Sequence, residues 1–147
     1  MEIKDILSPV STKNAVRGTS KKRILETLSE LAASAANGVE YEVVLKSLTS
    51  RERMGSTGIG QGIALPHGRL PGMKRPVAVV ITCDPPVEFN AIDNKPVDIF
   101  FALLVPENEN ENHLKVLSSV ASKLNDRETV RKLRKAKSDS ALYEALI

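Results

Sequence analysis

Residues 97–105 have the sequence VDIFFALLV, an almost unbroken apolar run. A strand buried on both faces of a sheet has this composition, whereas a strand with one solvated face alternates apolar and polar residues. Pro106 follows the run and ends it, because proline has no backbone N–H to donate to a neighbouring strand. The run therefore predicts a central strand in a sheet that is covered on both sides.

Helical patterns flank this run on both sides. Apolar residues at helical spacing are typical of helices that pack one face on a sheet, and Ser20, Asp126 and Ser138 are suited to be N-caps. The predicted helices cover residues 20–37, 40–53, 114–124, 126–135 and 139–146. The other predicted elements are strands at 63–65 and 76–82 and turns at 84–86 and 93–94. This order indicates an α/β fold, a single domain over residues 1–147 with a mixed sheet flanked by helices.

The composition excludes several classes of protein. Of the 147 residues, 41% are hydrophobic and 27% are charged, as in ordinary globular proteins. The net charge is only +3 and aromatic residues make up 3%, so a nucleic-acid-binding surface is not indicated. No apolar stretch approaches the ~18 residues of a membrane span, and the N-terminus lacks a signal sequence. We therefore expect a cytoplasmic protein without membrane insertion.

The single cysteine, Cys83, cannot form a disulfide within the chain. It lies in the apolar run VVITCD, which favours a thiol buried in the core on a strand. The sequence has no cluster of cysteine and histidine at the spacing of metal ligands, so no metal is expected.

Residues 55–72 contain six of the eight glycines and interrupt the periodic pattern. The glycines resemble nucleotide-binding loops at first sight, but Gln61 and Gly62 stand where a P-loop needs lysine and serine or threonine. Ile63 and Leu65 occupy the positions where a dinucleotide-binding loop would need its last glycine. A nucleotide is therefore not expected, and the segment is the candidate functional loop because function concentrates on loops.

His67, one of two histidines in the chain, follows this loop in the sequence IALPHGR. Pro66 stiffens the backbone before it, and Gly68 allows another part of the chain to approach closely. The pattern predicts an imidazole at the end of the short strand 63–65. The residues alone leave a structural and a functional role equally open.

A resemblance to a known family distinguishes these roles. Residues 49–68, TSRERMGSTGIGQGIALPHG, resemble the active-site segment of the IIA proteins of the bacterial phosphoenolpyruvate-dependent phosphotransferase system, mannitol/fructose class. The similarity continues through FNAIDNKPVD at 89–98, FALLVP at 101–106 and HLKVL at 113–117. Within the class the chain is most similar to the nitrogen-branch regulatory proteins. The discriminating segments are SKKR at 20–23, GSTG at 55–58 and AIDN at 91–94.

The resemblance implies a mixed sheet flanked by helices and a phosphorylated histidine, which is His67 here. The donor would be a phosphohistidine on an HPr-like carrier (NPr in the nitrogen branch), and no cofactor is implied. We expect phosphorylation on Nε2, with Nδ1 holding its proton against a backbone carbonyl. Arg51, His113 and backbone N–H groups of residues 58–62 are the candidates to stabilise phosphoryl oxygens. The alternatives are that Arg51 forms a salt bridge with Glu52 or Asp98 and that His113 only starts a helix.

Two functions follow from this resemblance. The first is a regulator whose phosphorylation state controls target proteins, for which the family implies potassium transporters, sensor kinases and nitrogen-linked transcription. The second is a sugar-specific component that passes phosphate to a IIB protein. The chain ends at Ile147 without a IIB or membrane domain, which favours the regulator. Gln61 replaces the asparagine usual in the family, and the basic residues between Arg131 and Lys137 are expected to form a solvated helix face.

Overall fold

The apolar run at the centre of the sequence becomes the central strand of the sheet. In the computed structural model, which describes residues 2–108 and 111–147 and the side chains of all of these except 111–113, it forms β6 (Val97–Pro106). The sheet has six strands in the order β1-β5-β6-β3-β2, and β4 also pairs with β6. The other strands are β1 (Thr12–Arg17), β2 (Gly58–Gly60), β3 (Ile63–Ala64), β4 (His67–Leu70) and β5 (Val77–Val87).

The sheet is mixed, as predicted. The strands β3 and β4 lie one after the other along the same edge of β6, and both run parallel to it. On its other edge β6 pairs antiparallel with β5, which in turn pairs parallel with β1. The segment around Pro66 thus lies between two strands that both pair with β6, the central strand of the sheet.

Helices cover both faces of the sheet. They are α1 (Ile3–Ile6), α2 (Lys21–Ala35), α3 (Tyr41–Arg53), α4 (Glu111–Leu124), α5 (Arg127–Lys135) and α6 (Asp139–Leu146), with a 3-10 turn at Pro9–Ser11. The predicted N-caps are confirmed: the side chains of Ser20, Asp126 and Ser138 accept hydrogen bonds from backbone N–H groups in the first turns of α2, α5 and α6. None of the helices within the described ranges is long and apolar enough to cross a membrane.

Alternate residues of β6 face two separate cores. Phe100, Ala102 and Leu104 pack with apolar residues of α2 and α3. Ile99, Phe101 and Leu103 face the opposite side, where they pack with apolar residues of α4, α5 and α6. The prediction that this strand is buried on both faces is confirmed, and so is the α/β fold class.

The predicted turn at residues 84–86 is wrong, because β5 continues through it to Val87. The ladder between β5 and β6 shifts register between Thr82 and Val87, so the two prolines lie where regular pairing is interrupted. Gly18 passes close to this point, and a Cβ on Gly18 would lie 1.9 Å from the carbonyl oxygen of Pro85. The strands β1, β2 and β4 were not predicted either; β2 and β4 are short, and β1 is a mostly polar strand at the sheet edge.

Cys83 lies in β5 with 6% of its surface exposed, which confirms a core thiol. Its Sγ points to the carbonyl oxygen of Val97 at 3.4 Å. Burial, reinforced by the negative charge of Asp98, raises the pKa of the thiol to about 12. The thiol therefore keeps its proton at neutral pH.

Candidate functional site

His67 is the first residue of β4 and is half-buried. Its backbone is paired with Leu103 of β6, and the preceding carbonyl of Pro66 accepts the N–H of Leu103 at 2.9 Å. The sequence predicted the histidine at the end of the strand 63–65, but β3 ends at Ala64 and the histidine begins the next strand. The interruption falls at Pro66, which has no N–H to donate to β6.

The imidazole of His67 is oriented by a single backbone carbonyl. Nδ1 lies 2.8 Å from the carbonyl oxygen of Leu65. A carbonyl oxygen can only accept a hydrogen bond, so Nδ1 carries the proton of this contact. In the neutral ring Nε2 is then unprotonated and has a free lone pair, which is the state required of a nucleophile.

The helix α3 lies directly against the strand that begins with His67. A Cβ on Gly68 would lie 2.1 Å from Oγ of Ser47, and this hydroxyl donates to the carbonyl oxygen of Arg69 at 3.0 Å. The expectation that Gly68 permits a close approach is therefore confirmed, and the approaching segment is α3.

Arg51 lies one helical turn beyond Ser47, which places it on the same face of α3. Its Nη1 donates to the carbonyl oxygen of Gly55 at 2.9 Å, at the start of the glycine-rich loop. The alternative salt bridges of Arg51 are wrong, since Glu52 pairs with Lys21 and Asp98 pairs with Arg134. His113 belongs to α4, but its side chain lies outside the described residues, and its role stays a prediction.

The glycine-rich loop is held from outside by two carboxylates and an arginine. Gln61 sits at the tip of the β2–β3 hairpin with φ +59°; its N–H donates to Asp93 Oδ2 at 2.9 Å. Its carbonyl accepts from Nη2 of Arg134 at 2.6 Å, and Arg134 also binds Asp98 at 2.9 Å. Hydrogen bonds from the N–H groups of Gln61 and Lys95 lower the pKa of Asp93, so its carboxylate stays charged and keeps the tip fixed.

The expected use of loop N–H groups as phosphate donors is therefore wrong for two of them. The N–H of Gln61 is bound to Asp93, and the N–H of Gly58 is bound to Oγ of Ser56 at 3.0 Å. These two N–H groups thus serve to fix the loop. Among the described side chains, no group of three or more His, Cys, Asp or Glu is placed to hold a metal ion.

Sequence reasoning missed the role of Glu52, whose side chain is buried in α3 and binds the loop at Thr57. A signal was present, since Val44, Leu48 and Glu52 follow one another at intervals of four residues. Such spacing places a carboxylate on the buried face of an otherwise apolar helix stripe. A buried carboxylate needs partners, and here they come from the loop.

The site thus combines a histidine with a free Nε2 at the start of a sheet strand and an arginine of the adjacent helix that is bound to the loop before it. Residues 5–147 match the family "Phosphoenolpyruvate-dependent sugar phosphotransferase system, EIIA 2". The chain belongs to this family, which confirms the resemblance found in the sequence.

Relatives of known type are similar over nearly the full chain. A nitrogen regulatory protein of Klebsiella oxytoca is 46% identical over 147 residues, which cover 99% of this chain and 90% of that protein. The crystal structure of nitrogen regulatory protein IIA-Ntr from Neisseria meningitidis superposes with a TM-score of 0.92 at 36% identity, covering 99% of both chains. The crystal structure of IIA mannitol from Escherichia coli shares the fold, with a TM-score of 0.76 at 20% identity over 93% of this chain and 96% of that one.

The positive φ of Gln61 allows a test of how the loop tip is held. Asparagine adopts this backbone conformation at lower cost than glutamine, so Gln61→Asn should raise the free energy of unfolding by about 0.5 kcal/mol. The matched reverse change is Asn94→Gln, at an exposed residue with φ +58°, and it should lower stability by a similar amount. Urea unfolding of both variants measures the effect. A lower free energy of unfolding in Gln61→Asn would contradict the idea that the positive φ of residue 61 costs stability in the wild-type protein.

Proposed function

We propose that this protein is a regulatory phosphocarrier of the nitrogen branch, acting in the cytoplasm. It accepts a phosphoryl group on Nε2 of His67 from a phosphohistidine on an HPr-like carrier (NPr), and its phosphorylation state controls target proteins. The observation that carries the proposal is the 2.8 Å contact between His67 Nδ1 and the carbonyl oxygen of Leu65. It leaves Nε2 as the free nucleophilic nitrogen of the neutral ring.

The transfer balances without an added acid or base. The lone pair of His67 Nε2 forms the new P–N bond while the P–N bond to the donor histidine breaks, and that electron pair returns to the donor nitrogen. The proton on Nδ1 stays in its hydrogen bond to Leu65 throughout. The acceptor ring, with phosphorus on Nε2 and its proton on Nδ1, becomes a phosphoimidazolium, while the donor ring, whose other nitrogen carries a proton, returns to neutral imidazole; the positive ring charge thus passes from donor to acceptor with the phosphoryl group. Such transfers depend mainly on in-line positioning and on stabilising the charge of the equatorial oxygens.

Arg51 is the proposed cationic partner of these oxygens. Its Nη1 is bound to the carbonyl of Gly55, which anchors the guanidinium at the start of the loop. The donors on the rest of the planar group can bind two phosphoryl oxygens together. We propose His113, whose backbone lies in the first turn of α4, as a second donor.

The regulatory role rests on the relatives that are named nitrogen regulatory proteins. Phosphorylation adds about two negative charges beside a surface that is otherwise partly apolar. Met54 at the end of α3 and Ile92 in the connection between β5 and β6 are each 82% exposed, and Ile59 in β2 is 49% exposed. A charged group at this place changes which proteins can bind there, and potassium transporters and sensor kinases are the proposed targets. Neither nucleic acid nor membrane insertion enters the proposal.

The direct test is phosphorylation of the purified protein by a phosphohistidine donor. Wild-type protein should take up one acid-labile phosphoryl group. His67→Ala should take up none, because the acceptor nitrogen is gone, and His113→Ala should still accept it at a lower rate. Incorporation of labelled phosphate, followed over time, measures both. Uptake by His67→Ala at the wild-type rate would overturn the assignment.

The same assay separates the regulator from a sugar-transport component. Nitrogen-branch and sugar-branch donors are compared first, and a IIB acceptor is then added to the phosphorylated protein. The regulator should prefer the nitrogen-branch donor and retain its phosphoryl group in the presence of IIB. Rapid onward transfer to a sugar IIB would favour the transport component instead.

Replacing Arg51 with lysine tests the guanidinium. A lysine ammonium at this position is a point charge without the paired donors, so Arg51→Lys should slow transfer by about tenfold to a hundredfold. The matched control is Arg53→Lys, an exposed arginine two residues along the same helix. Stopped-flow or quench-flow transfer rates measure the difference. Equal rates in Arg51→Lys and wild type would remove Arg51 from the site.

A further inference from the structure

The buried carboxylate of Glu52 is saturated with donors from the loop and from one lysine. Only 4% of its side chain is exposed. Oε1 accepts from Lys21 Nζ at 2.9 Å, and both oxygens accept the N–H of Thr57, at 3.1 and 3.2 Å. Oε2 also accepts the hydroxyl of Thr57 at 2.6 Å, the length of a charge-assisted hydrogen bond. Both polar groups of Thr57 that can donate are thus bound to one carboxylate.

Lys21 extends this arrangement to the other side of the loop. Its Nζ also donates to the carbonyl of Phe89 at 3.2 Å and lies 4.6 Å from the centre of the Phe89 ring. The same carbonyl accepts the hydroxyl of Ser56 at 2.9 Å. Ser56 is therefore bound to the carbonyl of Phe89, and Thr57 is bound to the carboxylate of Glu52. Lys21 donates to both of these acceptors.

A short path of hydrogen bonds connects Thr57 with His67. The carbonyl oxygen of Thr57 accepts the N–H of Leu65 at 2.9 Å. The carbonyl oxygen of Leu65 then accepts from Nδ1 of His67 at 2.8 Å. The position of Thr57 thus determines where the carbonyl that orients the imidazole can lie.

We infer that Glu52 is a positioning residue for the phosphoryl acceptor. Paired with Lys21, it fixes Thr57, and through Thr57 and Leu65 it fixes the tautomer and direction of the His67 ring. This inference rests on the proposed function of His67. Glu52 does not touch the reacting atoms; it determines how Nε2 is presented to the donor.

A purely stabilising role explains this network less well. A buried ion pair contributes little net stability, because desolvation of the two charges offsets their attraction. An apolar side chain continues the stripe of Val44 and Leu48 equally well at this position. What an apolar residue cannot do is bind both donors of Thr57 in one geometry. The network therefore selects a conformation of the loop.

The test removes the hydroxyl of Thr57 and leaves its shape. Thr57→Val keeps the side-chain volume, the N–H bonds to Glu52 and the Glu52–Lys21 pair, so the protein is expected to fold. The matched control is Thr129→Val, which removes an equivalent hydroxyl bond of 2.7 Å to Asp126 in α5. Thr57→Ser is the conservative rescue, and Glu52→Gln, which removes the charge, is the second variant.

Two measurements separate positioning from stability. Nitrogen-15 NMR of the imidazole reports whether Nδ1 or Nε2 carries the proton, and quench-flow kinetics give kcat and KM for transfer from a phosphohistidine donor. In Thr57→Val we expect both tautomers of His67 and a kcat lower by about tenfold, with KM unchanged. Glu52→Gln should lower kcat further. Thr129→Val should lose thermal stability but keep the tautomer and the rate, and Thr57→Ser should restore both.

The outcomes distinguish the inference from the proposed function. A wild-type tautomer and rate in Thr57→Val and in folded Glu52→Gln would overturn the inference while His67 phosphorylation stands. A rate loss as large in Thr129→Val would also overturn it, because general destabilisation would then account for the effect. If wild-type His67 accepts no phosphoryl group, the proposed function fails, and the tautomer measurement still tests whether Thr57 positions the ring. If Glu52→Gln does not fold, Thr57→Val alone decides.

Discussion

The carbonyl oxygen of Leu65 accepts a hydrogen bond from Nδ1 of His67 across 2.8 Å, and this contact requires Leu65 to be held firmly. Its own N–H is bound to Thr57, and the next carbonyl, that of Pro66, is bound to β6. The central strand thus fixes one side of His67, the proposed acceptor, and the loop from α3 fixes the other. The arrangement of helices, hairpin and sheet around the site can be understood as support for this one orientation of a ring.

Charged residues provide much of that support. Glu52 holds the beginning of the loop, Asp93 holds its tip, and Asp98 holds Arg134 against the carbonyl of Gln61. Arg134 is exposed, as expected of the solvated basic face, and so are Arg131, Lys132, Lys135 and Lys137. Arg134 in addition takes part in fixing the loop. The net charge of +3 therefore does not reveal that several carboxylates hold specific parts of the loop in place.

Much of the fold was predictable because its signals are local. The apolar run of β6, the helix periodicities and the capping side chains of Ser20, Asp126 and Ser138 depend on neighbouring residues. The strand β1 and the continuation of β5 through Pro85 were not predictable in this way. They depend on pairing between distant segments and on the close passage of Gly18, which the periodicity of one segment does not record.

The candidate site was likewise predictable in part: local signals pointed to some of its residues and not to others. The sequence pattern pointed to His67 and Gly68, the resemblance to the family added Arg51, and an Nδ1–carbonyl contact was expected from the chemistry of imidazole. Which carbonyl makes the contact, and how Glu52 and Lys21 fix it, depends on packing between α2, α3 and the loop. The residues proposed to contact the phosphoryl group carry a recognisable chemistry, whereas those that position them are recognised only once the chain is folded.

The most direct measurement of the central claim is the site of phosphorylation within the imidazole ring. Protein labelled with nitrogen-15 is phosphorylated by a phosphohistidine donor, and the coupling between phosphorus and nitrogen is recorded by NMR. The account predicts phosphorus coupled to Nε2 of His67, with the proton retained on Nδ1. Phosphorus on Nδ1 would contradict it, because the hydrogen bond to Leu65 would then have to be broken during transfer.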